Sequence, residues 1–554
     1  MVGEVTRVRM YRGILGDCFL LRHSWTAEDS ETKTLSILID CGVLQGVERG
    51  RERMVEIAAD VARECDGKLD VVVVTHEHAD HLSGFAHARD IFFHEQREEG
   101  AAEDLPRLDI GRLWLAWTED DQDPRAQELR AKFHKVKAAI DTTAKLAAFG
   151  LGEDERIKRV MALQKFIGFD DEEPGEIEVA EPARPRGLGF GAAPAAGPGE
   201  PAVAEPEQDK PRPKRWTGKL VIEKLKSKAG AANIDYLEPG DIVRVAPGLS
   251  AYVLGPPRDE KRLRKDTPSG GSASEVYLAK SDEAYAVESA AEAELTRKAR
   301  SNRSEALAAS GQGPAAGGAE AAVDAEDPSN PSPFPKPYRR RLDSAEADGG
   351  RIEDLYFKGP KERRIENDWL DAAEALALKM DSDTNNTSLV LAFERDDRQV
   401  LLFAADAQVG NWLSWADQTY PREAKEGEAR PIAVDGLLKR VTLYKVGHHA
   451  SHNATLKGEG LEKMTDPRLT AMIPVVEAVA KAQGKEPHGW RMPYPKLEQS
   501  LLEKTQGRVI RGDNDHLDRE KGARWGDIGV AYQDPAKGGL WVELTFADGT
   551  PPSG

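Results

Sequence analysis

The chain has 554 residues, with 77 Lys+Arg against 96 Asp+Glu for a net charge of −19. Only 40% of it is hydrophobic and 31% is charged, and 50 Gly and 33 Pro point to unstructured tracts inside a folded protein of up to about four domains. This balance excludes a general nucleic-acid coat though not a local basic groove, no stretch reaches the ~18 apolar residues of a membrane helix, and Cys18, Cys41 and Cys65 are too few for a disulfide framework.

Val8 and Met10 alternate with Arg7 and Arg9, as in a half-buried strand. Residues 18–21 and 35–39 are short apolar runs bounded by Asp, Cys and Gly. Met54, Ile57, Ala58 and Val61 repeat at helical spacing. Four valines at 71–74, between Asp70 and Thr75, suit a strand buried on both faces, and 113–117 reads as another strand. Asp123-Pro124 is a helix start, Leu129, Phe133, Val136 and Ile140 form its stripe, and Gly150 is its stop. Residues 181–215 are rich in Pro, Gly and Ala and cannot bury enough surface to offset ordering entropy, so a disordered linker is expected there. Gly187-Leu188-Gly189-Phe190-Gly191 lies inside it with no preceding strand and is no nucleotide cradle. A second such tract runs from about 308 to 337. Residues 252–254 read as a strand end before Gly255-Pro256-Pro257. Beyond Trp369 order returns: a hairpin from 388–393 and 400–404, a strand at 441–446, and a last strand and helix at 472–476 and 497–502. No internal repeat is visible.

His76-Glu77-His78-Ala79-Asp80-His81 follows the valine strand directly. Imidazole and carboxylate suit divalent zinc, manganese or iron. In an extended segment alternate residues point the same way, so His76 and His78 can reach one ion, and Asp80 and His81 a second. A merely solvated loop is a poor alternative, because the whole chain has only 12 His and three fall in these six positions.

The pattern His76-x-His78-x-Asp80-His81 after an apolar strand resembles the signature of the metallo-β-lactamase-fold hydrolases. Gly16-Asp17-Cys18-Phe19-Leu20-Leu21 and Ile37-Leu38-Ile39-Asp40-Cys41-Gly42 resemble the opening hairpin of the subgroup that includes the hydrolase domain of ComEC-type DNA-uptake proteins. Asn385-Asn386-Thr387-Ser388, Leu401-Leu402-Phe403-Ala404-Ala405-Asp406, Tyr444-Lys445-Val446-Gly447-His448-His449-Ala450-Ser451, Pro493-Tyr494-Pro495 and Arg508-Val509-Ile510-Arg511-Gly512-Asp513 follow in that subgroup's order. The resemblance covers about half the chain. It implies an α/β protein, an αβ/βα four-layer sandwich, interrupted by two large, partly disordered insertions. Residues 1–120 and 376–550 would form its halves, 121–235 and 259–375 the insertions, and 236–258 a strand returning to the core.

It also implies two divalent ions, Zn²⁺ or Mn²⁺. His76 and His78 would hold the first, Asp80, His81 and His448 the second, with Asp406 bridging and His449 placed behind them or on a phosphate. Asp80 would orient the attacking water, and Ser451, His452 and Asn453 are candidates for substrate contact. Two of the subgroup's glycines are Ala405 and Ala450 here, and no middle histidine stands between the first cluster and Asp406. Paired cations acidify a water and stabilise developing charge, so a hydrolase is expected, acting on phosphodiesters of DNA or RNA. Basic runs at 212–215, 261–265 and 339–341 are compatible with that substrate. A nuclease of an antiviral or toxin-like system, a hydrolase of small esters, thioesters, lactones or phosphorylcholine, and a module gated by protein partners docked on the insertions are the readings left open. With no secretory signal and no membrane span, a cytoplasmic protein is expected.

Overall fold

The computed structural model describes residues 4–94, 106–150, 170–171, 216–265, 378–396, 398–421, 431–483, 489–513, 525–534 and 539–547. The Pro/Gly/Ala-rich tracts and the basic runs at 212–215 and 339–341 lie outside them. In chain order the strands are β1 Val5–Tyr11, β2 Phe19–Thr26, β3 Thr32–Ile39, β4 Lys68–Val73, β5 Asp109–Ala116, β6 Asp170–Asp171, β7 Trp216–Thr217, β8 Ile234–Leu237, β9 Ile242–Ala246 and β10 Leu249–Gly255. Then follow β11 Val390–Arg395, β12 Gln399–Phe403, β13 Thr419–Tyr420, β14 Ile432–Ala433, β15 Val441–Lys445, β16 Thr470–Ile473, β17 Val509–Arg511, β18 Gly529–Tyr532 and β19 Trp541–Ala547.

Two sheets carry the fold, one ordered β18-β19-β1-β2-β3-β4-β5-β8 and the other β17-β16-β15-β12-β11-β10-β9. In the first, the antiparallel meander β1–β3 runs into the parallel strands β4, β5 and β8. In the second, the antiparallel β10–β12 runs into the parallel β15, β16 and β17. The two halves therefore repeat one topology. The sequence hides this, because apolar patterning specifies burial and not pairing partners.

The valine strand behaves as its composition demands. Val71 and Val73 face the other sheet, while Val72 and Val74 lie under helices, the period-two alternation of a doubly covered strand. Burying each is worth about 1.5–3 kcal/mol. Between the sheets, Phe19 and Phe393 each meet Phe403 edge-on with ring centroids 5.7 Å apart. Helices Gly50–Glu64, Ala79–His87 and Gly218–Ala229 cover the outside of the first sheet through Met54, Phe85 and Val221. Helices Val409–Ser414 and Pro495–Lys504 cover the second through Trp412 and Leu501. The result is an αβ/βα four-layer sandwich.

Several local readings change in the structure. The outward side of β1 is not solvated: Arg9 is 4% exposed and paired with Asp60, Glu64 and Glu543, because a helix covers that face. Asp123 caps helix Pro124–Gly150 as its sequence implies, accepting from Arg125 N and Ala126 N at 2.8 and 3.0 Å. Trp117 leaves β5 for a short turn and donates to Pro256 O at 2.8 Å. Helix Gly218–Ala229 already packs on the first sheet, and residue 236 falls within β8. β19, unassigned from sequence, carries a period-two signal in Val542, Leu544 and Phe546 and pairs with β1. The described residues on either side of 266–377 are clasped together. Lys379 Nζ donates to Arg264 O at 2.6 Å and Asn386 Nδ2 to Lys265 O at 2.9 Å. Among the described residues no helix is long and apolar enough to cross a membrane.

Candidate metal centre

The loop after β4 stays extended through His78, which caps helix Ala79–His87 with φ −69° and ψ 154°. His76 and His78 therefore project from extended chain, but Asp80 and His81 come from the first helical turn, where a carboxylate also suits the helix dipole. Two neighbouring segments hold this loop. Asp17 N donates to Asp80 O, and Cys41 N to His81 O, both at 2.9 Å. The approach is close enough to require glycine: a Cβ on Gly42 would stand 2.1 Å from the Asp80 carbonyl carbon, and one on Gly16 2.7 Å from Asp80 O.

From the other sheet, Asp406 follows β12 and His448-His449 follow β15. Ala405, His448, His449 and Ala450 have φ of 47°, 44°, 51° and 64°. The two alanines thus occupy left-handed positions where glycine would be relaxed, and the turn they help form decides which histidine faces inward. His449 does: its Nε2 lies 2.8 Å from Asp80 Oδ2, and its Nδ1 donates to Pro474 O at 2.7 Å. His448 Nδ1 lies 2.9 Å from Ser451 Oγ, and both histidines line one cavity with Asp80. His449 thus joins the buried His/Asp cluster, and His448 also lies near enough to Asp406 and Asp80 to feel their charge.

Candidate ligand atoms of Asp80, His81, Asp406 and His449 all lie within 4.8 Å of one another and are buried. His81 Nε2 stands 3.2 Å from Asp406 Oδ2 and 3.7 Å from Asp80 Oδ2. Asp80 Oδ1, His81 Nε2 and Asp406 Oδ2 are buried without a hydrogen bond, an arrangement that costs dearly unless a cation sits among them. His76 and His78 lie alongside, His76 Nε2 3.1 Å from His78 Nδ1 and the His76 and His81 ring centroids 4.1 Å apart. The donor set, buried imidazoles and short carboxylates, fits a divalent metal.

Residues that sequence motifs did not mark as functional complete the site. Asp40 accepts from Thr75 N at 2.8 Å, from Thr75 Oγ1 at 2.6 Å and from His81 Nδ1 at 2.8 Å. That leaves Nε2 as the His81 nitrogen that faces the cluster. Thr75 Oγ1, its proton committed to Asp40, lies 3.1 Å from His76 Nδ1. Lys445 is buried beside Asp17, donates to Ala405 O at 3.0 Å and stands 3.7 Å from Asp406 Oδ1. Asp17 and Asp40 lie in quoted segments beside Cys18 and before Cys41-Gly42, a strand-end position that could have flagged them.

The electrostatics follow from burial against this charge set. Burial lowers His76 well below the usual imidazole range, and takes His78 and His448 to about 4, so all three are neutral at pH 7. Burial opposes charge on His81 too, but Asp406, Asp80, Asp40 and Asp17 outweigh it and hold its pKa well above the ordinary value. Burial likewise opposes charge on Asp406, but His81, His448 and Lys445 keep it well below the usual carboxylate range.

Residues 17–155 match the family model described as Metallo-beta-lactamase superfamily, a span that includes Asp17, Asp40, His76, His78, Asp80 and His81. No curated protein and no solved structure matches the chain. The metallo-beta-lactamase superfamily domain matched at residues 17–155, with the buried His/Asp cluster that Asp406 and His449 complete, indicates a metal-dependent hydrolase.

Proposed function

We propose a dinuclear enzyme that hydrolyses phosphodiester bonds of nucleic acid. Asp80, His81, Asp406 and His449 would hold one ion, Zn²⁺ or Mn²⁺, and His76 and His78 a second, with Asp406 between them. Bound ions supply Lewis acidity and an activated water. The chain's own part is to orient. With an ion bound, His449 Nε2 would ligate it in place of its present hydrogen bond to Asp80 Oδ2, Asp80 would orient the attacking water, and neutral His448 lines the cavity with its Nδ1 beside Ser451.

The observation that carries the substrate class is the cavity of about 400 Å³ above Asp80 and His449. Its lining offers two kinds of wall, polar side chains such as His448, Ser451, His452, Asn453 and Arg491, and apolar or aromatic ones such as Leu15, Leu44, Trp490, Met492 and Tyr494. A phosphate group suits the first wall and an unstacked base the second. The described basic run adds little attraction, since Arg262 is paired with Asp417 and Arg264 with Glu260. Three buried free cysteines suit a reducing cytoplasm.

The apolar wall also favours a second reading, hydrolysis of a small ester or phosphodiester. Leu378 and Ser382, where the chain returns after residue 377, line the cavity as well, which supports control by a protein partner bound to that insertion. The full-length protein, loaded with Mn²⁺ or Zn²⁺, is to be given labelled single-stranded DNA, RNA, a phosphodiester reporter and a lactone. Nucleic-acid cleavage that disappears in Asp80→Ala is the expected result. Lactone or reporter turnover with intact nucleic acid selects the second reading. Unchanged metal content in a His76→Ala/His78→Ala variant would refute the ligand assignment.

A further inference from the structure

We propose that Asp381 is the positioning residue for His78, accepting its Nε2–H and so fixing the tautomer whose Nδ1 lone pair meets the ion beside His76 Nε2. This rests on the dinuclear reading above and extends it. The His78 ring has two polar edges. Its Nδ1 faces His76 Nε2 at 3.1 Å, and its Nε2 faces Asp381 Oδ1 at 3.7 Å. Asp381 Oδ1 is buried with no hydrogen-bond partner, while Asp381 Oδ2 accepts from Asn385 Nδ2, one turn on, at 3.4 Å. One oxygen is thus held by its own turn and the other is left toward the imidazole.

The other inward histidines are set by the same device. Asp40 takes the His81 Nδ1–H and the Pro474 carbonyl takes the His449 Nδ1–H, at 2.8 and 2.7 Å. Orientation by an outer acceptor both fixes the ring and raises ligand basicity. The need is greatest at the His76/His78 position, since no histidine occurs between His134 and His448 to add another imidazole. With few ligands, misplacing one forfeits a large share of the binding. The 3.7 Å separation is longer than a hydrogen bond, and a cation on Nδ1 makes Nε2–H a stronger donor. Closing the remaining gap of roughly 0.8 Å to a normal N–H···O length needs only a side-chain adjustment of Asp381.

The test uses full-length wild type, Asp381→Asn and Asp381→Glu. Zn²⁺ binding is titrated by competition with a chromophoric chelator. Two-bond ¹⁵N–¹H spectra of the Zn²⁺-loaded protein report the His78 tautomer, and thermal melts check folding. Expected are two ions in wild type, with His78 protonated at Nε2. Asp381→Asn should keep one ion at wild-type affinity, lose about 10–100-fold at the other, and shift the His78 Nε2–H signal. Asp381→Glu should restore part of both. If Asp381→Asn binds both ions as wild type does with an unmoved His78 signal, the role of Asp381 is overturned while the dinuclear reading stands. Loss of both ions together with melting, unrepaired by Asp381→Glu, marks a purely structural role and overturns it too. A wild-type protein that binds no divalent ion overturns the dinuclear reading itself.

Discussion

Replacing Asp40 by Asn removes one charge and almost no volume, and its consequence can be worked out atom by atom. Asp40 uses Oδ1 for Thr75 N and Oδ2 for both Thr75 Oγ1 and His81 Nδ1. An amide can sit there in two ways. With its oxygen at Oδ1, the NH₂ faces His81 Nδ1, which must surrender its proton. The proton then moves to Nε2, the atom that stands 3.2 Å from Asp406 and would bind the ion. With its oxygen at Oδ2, His81 keeps its tautomer but the buried Thr75 N–H faces another donor. A buried unsatisfied group costs about 1–3 kcal/mol. Either path should therefore weaken metal binding or folding by that amount, in line with the 10–100-fold typical of lost outer partners of ligating histidines. The assay is Zn²⁺ affinity by chelator competition, with the Zn²⁺-induced rise in melting temperature as a second measure. Asp40→Asn should show weaker binding and a smaller rise. Wild-type affinity and an unchanged rise would refute the idea that Asp40 sets the His81 tautomer.

Lys445→Met should strip Asp17 and Asp406 of their buried cation and cost about 3–5 kcal/mol in denaturant unfolding with chelator present, and less with metal bound. Ala450→Gly relieves a φ of +64°. The left-handed penalty of about 1–2 kcal/mol is partly offset by about 0.4–1 kcal/mol of added unfolded-state entropy. Stability should rise by up to about 1.6 kcal/mol, whereas Ala450→Val should lower it. Burial, then Glu119, push the Glu77 carboxyl up to about 7. A carboxyl raised on folding contributes stability that is fully present below its unfolded value and lost as pH rises through 7. Glu77→Gln should match wild type below pH 4.5 and be the more stable above pH 7, read from urea melts across that range. Equal pH slopes for both proteins would contradict the assignment.

The parts of the site legible in the sequence are those whose chemistry is local. His76, His78, Asp80 and His81 fall within six residues after a valine strand, and both their types and their spacing show. Asp406 shows through the apolar run before it. What stayed hidden depends on contacts between distant segments. Asp40 becomes a histidine partner only when β3 lies beside β4, and Lys445 a counter-charge only when β15 lies beside β12. The facing of His448 and His449 is set by backbone angles at 447–450, where alanine in place of glycine gives no sign of a left-handed turn. Asp381 belongs to no motif at all. The sheets divide the same way. β4 and the β11–β12 hairpin are visible as runs, but the placement of β19 against β1 is a pairing across the whole chain.

The clasp between Lys265 and the turn that begins at Leu378 has a consequence for how this protein can vary. Its hydrogen bonds make a bridgehead that holds those two points side by side. Each doubling of the chain length between them costs only about 0.6 kcal/mol of closure entropy. The returning end, however, delivers Leu378, Asp381 and Ser382 straight to the cavity rim. A change of chain length between these points would cost little closure entropy yet act beside the rim of this cavity.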